Sequence, residues 1–343
     1  MKARLLLAGA MTFVAAQAAE AQTACPAGAG NATTLAQAQA NAKASVCQMA
    51  HDIFQLMGPQ LGAGLVGGNP LIGSGGTLGG FPHLAVALRG TVFNGDLPDF
   101  DGSYDPSFAS SPSRRTLTTK SQVVGLPGVD AALGIFKGIP LGVTNVGGVD
   151  LLANAVYVPE VTSDGEGVTV SPETNLKIGY GVRVGLLQES ILVPGVSVSW
   201  VKRDVPTTTI VGTSTDLDVR LQDLAVKSTA IRAVASKSFL VFGLAVGAGQ
   251  DKYDQEVVAS GTAKGLNFGG VSAGDVATGP HTFTQSLTRT NIFANLSLNL
   301  PILKLVGEVG QVSGGDIATY NDFTGGDPAK SRTYGSAGIR IQF

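Results

Sequence analysis

The side chains with the clearest chemical potential are charged residues at the polar positions of alternating segments. From residue 81 onward apolar and polar residues alternate, and the polar positions carry Arg and Lys more often than Asp and Glu. If these positions face a common interior, its positive bias favours anionic solutes. The alternative is structural, because buried charges in a narrow interior also pair with one another and fill space. The candidate residues are Arg89, Lys177, Arg183, Arg203, Arg220, Arg232, Lys304, Glu308 and Arg340.

Carboxylates cluster in one polar stretch, where Asp96, Asp99, Asp101 and Asp105 could supply the oxygen ligands that Ca²⁺ prefers. The spacing does not complete an EF-hand loop and no Glu closes it, so a solvated acidic loop is the favoured interpretation. Two cysteines and three scattered histidines give no zinc-ligand spacing. We therefore predict no metal site and no cofactor.

The three histidines form no catalytic constellation in the sequence. His51 falls in a helical segment, and His83 and His281 fall near the ends of alternating segments. A hydrolase or acyltransferase needs a His beside a Ser on one face, and His83 has no Ser at a spacing of two within its own segment. We predict that the chain is not an enzyme.

The beginning of the chain indicates export. The first 21 residues combine a short basic start, an apolar run and small residues at a cleavage spacing, which predicts a signal peptide over 1–21. No later segment offers the roughly 18 consecutive apolar residues of a membrane-spanning helix. In an oxidising compartment Cys25 and Cys47 are expected to form a disulfide.

One helical segment and a Gly-rich stretch separate the signal peptide from residue 81. Apolar residues recur at helical spacing from Leu35 to Met57, and Gly58-Pro59 is expected to end the helix. The stretch "GAGLVGGNPLIGSGGTLGG" contains no phosphate-binding motif. We predict that residues 22–80 form a cap or plug on the domain that follows, with Gly73 to Gly80 near or inside its mouth. A mobile tether is the alternative.

Residues 81–343 follow the period of two that is typical of strands. In "TNLKIGYGVRVGLL" the apolar residues share one face, and the other face is mostly Gly with single Lys and Arg residues. Small residues suit a confined interior, whereas the outer face of a secreted sandwich should carry Lys, Glu and Thr. The pattern therefore favours an all-β fold, an antiparallel up-and-down transmembrane β-barrel whose apolar face meets lipid.

Short and long connections alternate between ten predicted strands, which is typical of barrels with turns at one end and loops at the other. Long polar connections are expected over 94–115, 159–172, 204–215, 251–280 and 313–331. Twelve strands are the alternative, because two segments are long enough to be divided. The predicted organisation is a signal peptide, an N-terminal helix and Gly-rich segment over 22–80, and a barrel over 81–343.

The last residues, "YGSAGIRIQF", alternate up to a terminal aromatic residue. With Ile339, Ile341 and Phe343 on one face, this strand resembles the terminal signal of bacterial outer-membrane β-barrels, although family members often have an aromatic residue in place of Ile341. The chain is similar to porin-like barrels of unassigned function and, more weakly, to long-chain fatty-acid transporters. The resemblance implies the outer membrane of a Gram-negative-type bacterium, with membrane lipid and the barrel-assembly machinery as partners.

Function is predicted from the charged polar face and from this resemblance. The net charge of -2 gives no basis for nucleic-acid binding. We predict a passive channel or carrier for small amphipathic or anionic solutes. One alternative is a structural or surface-interaction barrel with a filled lumen, and the least favoured is a barrel enzyme.

Overall fold

A computed structural model describes residues 24–99, 114–163 and 167–343. It begins with one long helix, α1 (Leu35–Val66), which starts at a capping box made by Thr34 and Gln37. The expectation that Gly58-Pro59 ends the helix is wrong, because Pro59 lies inside it and the chain leaves the helical conformation at Gly67. In the part of the chain that the structure describes, no helix is long and apolar enough to cross a membrane.

Sixteen strands make up most of the remaining chain. They are β1 (Leu84–Pro98), β2 (Thr116–Phe136), β3 (Ile139–Leu141), β4 (Thr144–Val146), β5 (Gly148–Tyr157), β6 (Val161–Ser163), β7 (Val168–Pro172), β8 (Leu176–Leu187), β9 (Gly195–Asp204), β10 (Thr208–Thr213), β11 (Leu217–Phe239), β12 (Phe242–Phe268), β13 (Val271–Asn299), β14 (Leu303–Val312), β15 (Asp322–Thr324) and β16 (Arg332–Gln342).

Ten of these strands form a closed antiparallel ring. In ring order they are β1, β2, β5, β8, β9, β11, β12, β13, β14 and β16, and β16 pairs back onto β1. Ring order follows chain order, so the all-β, up-and-down architecture predicted from the alternation is confirmed. The total of sixteen exceeds the predicted ten because six further strands lie in the connections between ring strands.

The two ends of the ring differ. At the end that we call the turn end, β11 and β12 are joined by Leu240 and Val241, and the backbone of Leu84 bonds to Phe343. At the opposite loop end the strands extend further. The predicted loop 251–280 is instead a paired hairpin that turns between Phe268 and Val271. The period of two continues through this hairpin, but its outward residues are mostly polar. The sequence therefore lacks the apolar face by which the other strands are recognised, and the segment is predicted as a loop.

A bulge in β11 reverses the inward and outward positions along that strand. The pairing with β12 shifts between Gln222 and Ala225, and Asp223 has a positive φ of 56°. Even-numbered residues face inward after the bulge, whereas Val219 and Leu221 face inward before it. Arg220 is therefore exposed on the outside, and its predicted lumen-lining position is wrong.

The interior of the ring is occupied by the N-terminal part of the chain. Met49, Ile53 and Phe54 of α1 are buried against inward side chains such as Tyr253 and Val257. The helix thus lies within the loop-end half of the ring rather than across its mouth. Residues 67–80, which we call the lumen segment, continue from the helix to the turn end, where the backbone of Gly80 bonds to His83.

The outward positions form an apolar belt. On β12 the outward side chains of Phe242 and Leu244 are exposed, and from Gln250 onward the outward residues are mostly polar or charged. On β13 the same change occurs between Ile292 and Thr290. A tilted strand needs about 9–11 residues to cross a bilayer, which matches the apolar part of β12 when its turn is included. A closed ring with such a belt is the architecture of a membrane-spanning β-barrel.

Aromatic residues mark both edges of the belt. Tyr180 and Trp200 lie with ring centroids 5.9 Å apart where the outer face of β9 becomes polar. At the turn end Phe239, Phe242 and Phe343 are exposed. Ile339 and Ile341 of the terminal strand also face outward. These positions match the aromatic girdles that flank the apolar band of a transmembrane barrel.

Candidate functional site in the lumen

The first residues of the lumen segment are held by side chains from the ring wall. Arg232 donates from Nε to Gly68 O (3.1 Å) and from Nη2 to Gly67 O (3.2 Å). Glu308 accepts hydrogen bonds from the backbone nitrogens of Gly68 (3.0 Å) and Asn69 (2.9 Å). Glu308 accepts from backbone N–H groups, and Arg232 donates to backbone oxygens. The backbone polar groups of a segment that belongs to no helix or strand thus have hydrogen-bond partners inside the ring.

Two further arginines complete this attachment. Arg89 donates to Asn69 O (2.5 Å), and Arg203 donates to Pro70 O (3.2 Å). Both also contact Asp130, at 2.5 Å for Arg89 and 2.9 Å for Arg203. One carboxylate therefore bridges two buried guanidinium groups, and Glu308, which binds the neighbouring Gly68 and Asn69 nitrogens, supplies a second negative charge nearby.

The other buried ion pairs follow the lumen segment along the ring. Arg232 pairs with Asp251, and Arg183 pairs with Asp150 at 2.7 Å; all four side chains are at most 2% exposed. Removing one partner of such a pair leaves an uncompensated buried charge, which costs about 3–5 kcal/mol. These pairs therefore make the lumen a rigid and strongly polar interior.

The turn-end half of the lumen segment bonds to the wall through short polar contacts. Gly75 N donates to Ser236 Oγ (2.9 Å), Thr77 Oγ1 bonds to Gln188 Oε1 (2.5 Å), and Leu78 N donates to both oxygens of Asp150 (3.1 Å each). A Cβ on Gly75 would lie 2.6 Å from Ser236 N, so only glycine permits this approach. The Gly-rich composition thus serves close packing inside the ring.

Arg340 is a buried positive charge without an ion-pair partner at the turn end. Its side chain is 1% exposed and donates to Gln342 Oε1 (2.6 Å), while Nε and Nη1 have no hydrogen-bond partner. Within the described residues, no carboxylate lies within ion-pair distance of it. Along the lumen segment the wall therefore carries five buried guanidinium groups, those of Arg89, Arg183, Arg203, Arg232 and Arg340, and four carboxylates, those of Asp130, Asp150, Asp251 and Glu308. Two more arginines, Arg289 and Arg332, and two more aspartates, Asp52 and Asp96, are also buried.

Most of the lumen candidates from the sequence lie inside the ring. Arg89, Arg183, Arg203, Arg232, Glu308 and Arg340 are buried, and Lys304 is half-buried at the turn end. Lys177 is exposed at the beginning of β8, and Arg220 is outside. Sequence reasoning missed Asp130 and Asp251. Each is a single acidic residue at an inward position of an alternating strand. This position in the alternation could have identified both as lumen residues.

The acidic cluster is divided between ion pairs and residues outside the described part of the chain. Asp96 pairs with Arg332 at 2.8 Å, and Asp99 pairs with Lys120 at 3.1 Å. Asp101 and Asp105 lie outside the described residues, as does the predicted signal peptide. Within residues 24–99, 114–163 and 167–343, no group of three or more His, Cys, Asp or Glu residues could hold a metal ion. The disulfide between Cys25 and Cys47 is confirmed.

The three histidines make contacts that position neighbouring elements, and His281 also lies beside a hydroxyl. His51 packs on Phe283 with ring centroids 4.4 Å apart and lies 3.4 Å from Gln48. His83 Nδ1 lies 2.8 Å from Gly80 O. His281 Nε2 lies 3.3 Å from Thr278 Oγ1, and His281 stacks on Phe283. These contacts position the helix, a strand start and the loop-end hairpin.

Asp52 fastens α1 to the connection over 313–331 at the loop end. Its carboxylate accepts hydrogen bonds from Tyr320 N (3.1 Å), from Asn321 N and Nδ2 (2.7 Å each), and from Gln48 Nε2 (3.2 Å). Burial raises the pKa of Asp52 above 3.8, and the hydrogen bonds from Asn321, Tyr320 and Gln48 oppose that rise. The middle of the helix is thereby joined to this connection at the loop end.

Comparison with known proteins gives only distant structural similarity. No family model matches the chain, and no curated protein matches it. Neisserial surface protein A is 10% identical, covering 76% of this chain and 97% of that one with a TM-score of 0.26. The translocator domain of the autotransporter NalP from Neisseria meningitidis is 11% identical, covering 75% and 88% with a TM-score of 0.31. The transport unit of the autotransporter AIDA-I from Escherichia coli is 8% identical, covering 87% and 99% with a TM-score of 0.29.

These similarities carry no argument about function at such low identity. The assignment of a membrane-spanning barrel rests on the closed strand pairing and on the apolar belt of this chain.

Proposed function

We propose that this protein is an outer-membrane barrel that acts as a passive channel or carrier for small anionic or amphipathic solutes, and that the lumen segment closes it. The observation that carries the proposal is the charge of the lumen. Five buried guanidinium groups face four carboxylates along the path that the segment occupies. A solute that replaces the segment would meet a positively charged wall.

The way in which the lumen segment is attached supports its role as a movable closure. It is held by side-chain hydrogen bonds, such as those of Glu308 and Ser236, and by a small apolar cluster with the wall that includes Leu71 and Ile72. It belongs to none of the ring strands. Its displacement therefore breaks no strand pairing of the ring. Each hydrogen bond contributes about 0.5–1.5 kcal/mol to holding the segment, or about 1.5–3 kcal/mol when one partner is charged. The hydrogen bonds of the segment can therefore break one after another.

A reversible cross-link tests the closure directly. A Cβ on Gly185 would lie 3.6 Å from Thr77 Cβ, within the range of about 3.5–4.5 Å for a disulfide. The double variant Thr77→Cys/Gly185→Cys joins the lumen segment to β8 when oxidised. We expect a low steady conductance in planar bilayers after oxidation, and larger or fluctuating conductance after reduction.

The control is the single variant Thr77→Cys under the same redox treatment, because it also reports any effect of reducing Cys25–Cys47. An oxidised double variant that conducts as well as the reduced one contradicts closure by this segment. If both forms are silent while correctly inserted, the channel proposal is wrong and the filled-lumen alternative is supported.

That alternative, a structural or surface-interaction barrel with a permanently filled lumen, is favoured by the packing of α1. Buried apolar side chains of the helix, including Val46 and Phe54, form one cluster with inward residues of the ring. Such packing resists displacement of the helix more than the smaller cluster around Leu71 and Ile72 resists displacement of the lumen segment, so we assign the movable role only to residues 67–80. We propose no enzymatic activity, and we propose membrane lipid and the assembly machinery as partners.

A further inference from the structure

The outer surface of the barrel carries one large concave region. A groove of about 900 Å³ is bordered by Leu88, Tyr157, Leu298 and Ile339, whose side chains are apolar or aromatic. This volume lies toward the upper end of small-molecule sites, which span roughly 300–1,000 Å³. The outside of a regular barrel is convex, so a groove of this size means that the wall is indented here.

Glycine forms the floor of the indentation. Gly90 of β1 and Gly307 of β14 both line the groove, and a Cβ built on either meets no atom within 4 Å. The space above them is therefore open and faces outward within the apolar belt. Leu88, beside Gly90 on the same face, is 61% exposed. Whatever fills the groove must come from the surrounding bilayer.

The ring wall is incompletely paired beside the groove. The pairing of β2 with β5 covers residues from Gly128 to Phe136, but β2 continues toward the loop end and there pairs with β1. Pro127, just beyond the last β5 pair, has no N–H to donate to a partner strand. Among the described residues, the pairing between β2 and β5 thus stops at Gly128, within the belt, which leaves an unpaired stretch toward the loop-end edge of the belt.

Behind this stretch lies the positively charged group that anchors the lumen segment. Arg89, Pro127, Gly128 and Ala155 line both the outer groove and a small inner cavity, which Asp130 and Arg203 also line. Two arginines and one carboxylate line this inner cavity, whereas Glu308, which binds the lumen segment, does not line it. The charge nearest the groove is therefore positive. In an apolar environment such a charge acts over a longer range than in water.

We propose that the groove binds an acyl chain of an anionic phospholipid from the surrounding bilayer, with its phosphate at the loop-end edge facing Arg89 and Arg203 through the unpaired stretch. The apolar lining accepts the chain, and the two arginines of the inner cavity favour an anionic over a zwitterionic headgroup. The site is independent of conduction through the lumen, because the lipid lies outside the ring.

Tryptophan fluorescence can test this site, because Trp200 is the single Trp of the chain. In a Trp200→Phe background, Leu298→Trp places a reporter at the groove, and Ala233→Trp places a matched reporter on the exposed outer face of β11. The probes are phosphatidylglycerol and phosphatidylcholine with brominated chains, which quench Trp on contact. We expect about a fivefold preference for phosphatidylglycerol at Leu298→Trp, equivalent to about 1 kcal/mol, and none at Ala233→Trp.

Two kinds of variant distinguish binding of the lipid acyl chain from recognition of the lipid headgroup. Gly90→Phe with Gly307→Phe fills the open floor, where a Cβ on either glycine meets no atom within 4 Å, and should abolish the preference at the groove reporter. Arg203→Met leaves a neutral Arg89–Asp130 pair and should reduce the preference while quenching by phosphatidylcholine persists. Heat-shifted gel mobility confirms that each variant is folded. Equal quenching by both lipids at the groove, or a preference that survives filling of the floor, overturns the proposal.

Discussion

Arg89 and Arg203 come from different strands, β1 and β9, and share the carboxylate of Asp130 inside the ring. Each also donates to a backbone oxygen of the lumen segment. Asp130 therefore connects three strands of the wall, β1, β2 and β9. Through the two arginines it also connects the wall to the lumen segment.

The first prediction concerns Asp130. Asp130→Asn leaves two buried guanidinium groups without a carboxylate, and we expect a loss of about 3–5 kcal/mol in the free energy of unfolding. Urea unfolding in detergent, followed by heat-shifted gel mobility, measures it. Asp254→Asn is the control, because Asp254 pairs with Lys252 on the outer face, where both side chains are about half exposed. Similar effects for the two variants would show that the Asp130 group contributes little.

The second prediction concerns the hydrogen bonds between Glu308 and the lumen segment. Glu308→Gln replaces one carboxylate oxygen by an amide nitrogen, so one of the bonds to Gly68 N and Asn69 N is lost at a cost of about 1–3 kcal/mol. We expect faster amide hydrogen exchange over residues 67–80. Glu256→Gln, on the exposed face of β12, should leave that exchange unchanged. Unaltered protection in Glu308→Gln would mean that other contacts hold the segment.

The third prediction compares two adjacent glycines. In Gly75→Ala the new methyl group would lie 2.6 Å from the backbone nitrogen of Ser236, so we expect the segment to be displaced from the wall. In Gly76→Ala the nearest atom lies 3.6 Å away, which is ordinary contact, and we expect little change. Proteolysis of the turn end or hydrogen exchange over residues 71–80 distinguishes the two. Equal behaviour would contradict close packing at Gly75.

The fourth prediction concerns pH at the loop end. Because burial raises the pKa of Asp52 in the folded state, the folded protein binds the proton more tightly than the unfolded chain does. Its contribution to stability is fully present below 3.8 and is lost as pH rises through the folded-state pKa. Relative to Asp52→Asn, the wild type should therefore lose stability across that interval. Parallel urea titrations between pH 3 and 8 measure the difference, and a constant difference would contradict a raised pKa.

The alternation of the sequence was sufficient to predict the ring strands but not what they enclose. Leu244 outside and Gly243 inside follow from the period of two, and ring order follows chain order in an up-and-down barrel. The position of Arg220 could not be predicted, because the bulge at Asp223 reverses the two faces without a glycine or proline to mark it.

The site was harder to predict for a related reason. Arg232 and Asp251 pair across two strands, and only the register of β11 on β12 brings them together. That register is set by the two-residue turn at Leu240 and Val241, and no Gly, Asn or Asp marks this turn in the sequence, although Leu240 takes a positive φ of 52°. The location of α1 inside the ring depends on its apolar residues finding inward partners such as Tyr253, which likewise are remote in the chain.

The selectivity of the opened channel tests the central claim most directly. The claim is that the lumen segment closes a positively charged path through the barrel. The reduced Thr77→Cys/Gly185→Cys variant is placed in a planar bilayer with a tenfold KCl gradient, and its reversal potential is measured before and after oxidation. We predict a reversal potential of the sign for Cl⁻ permeation, and loss of the current on oxidation. A cation-selective current, or one that oxidation does not change, would contradict the account.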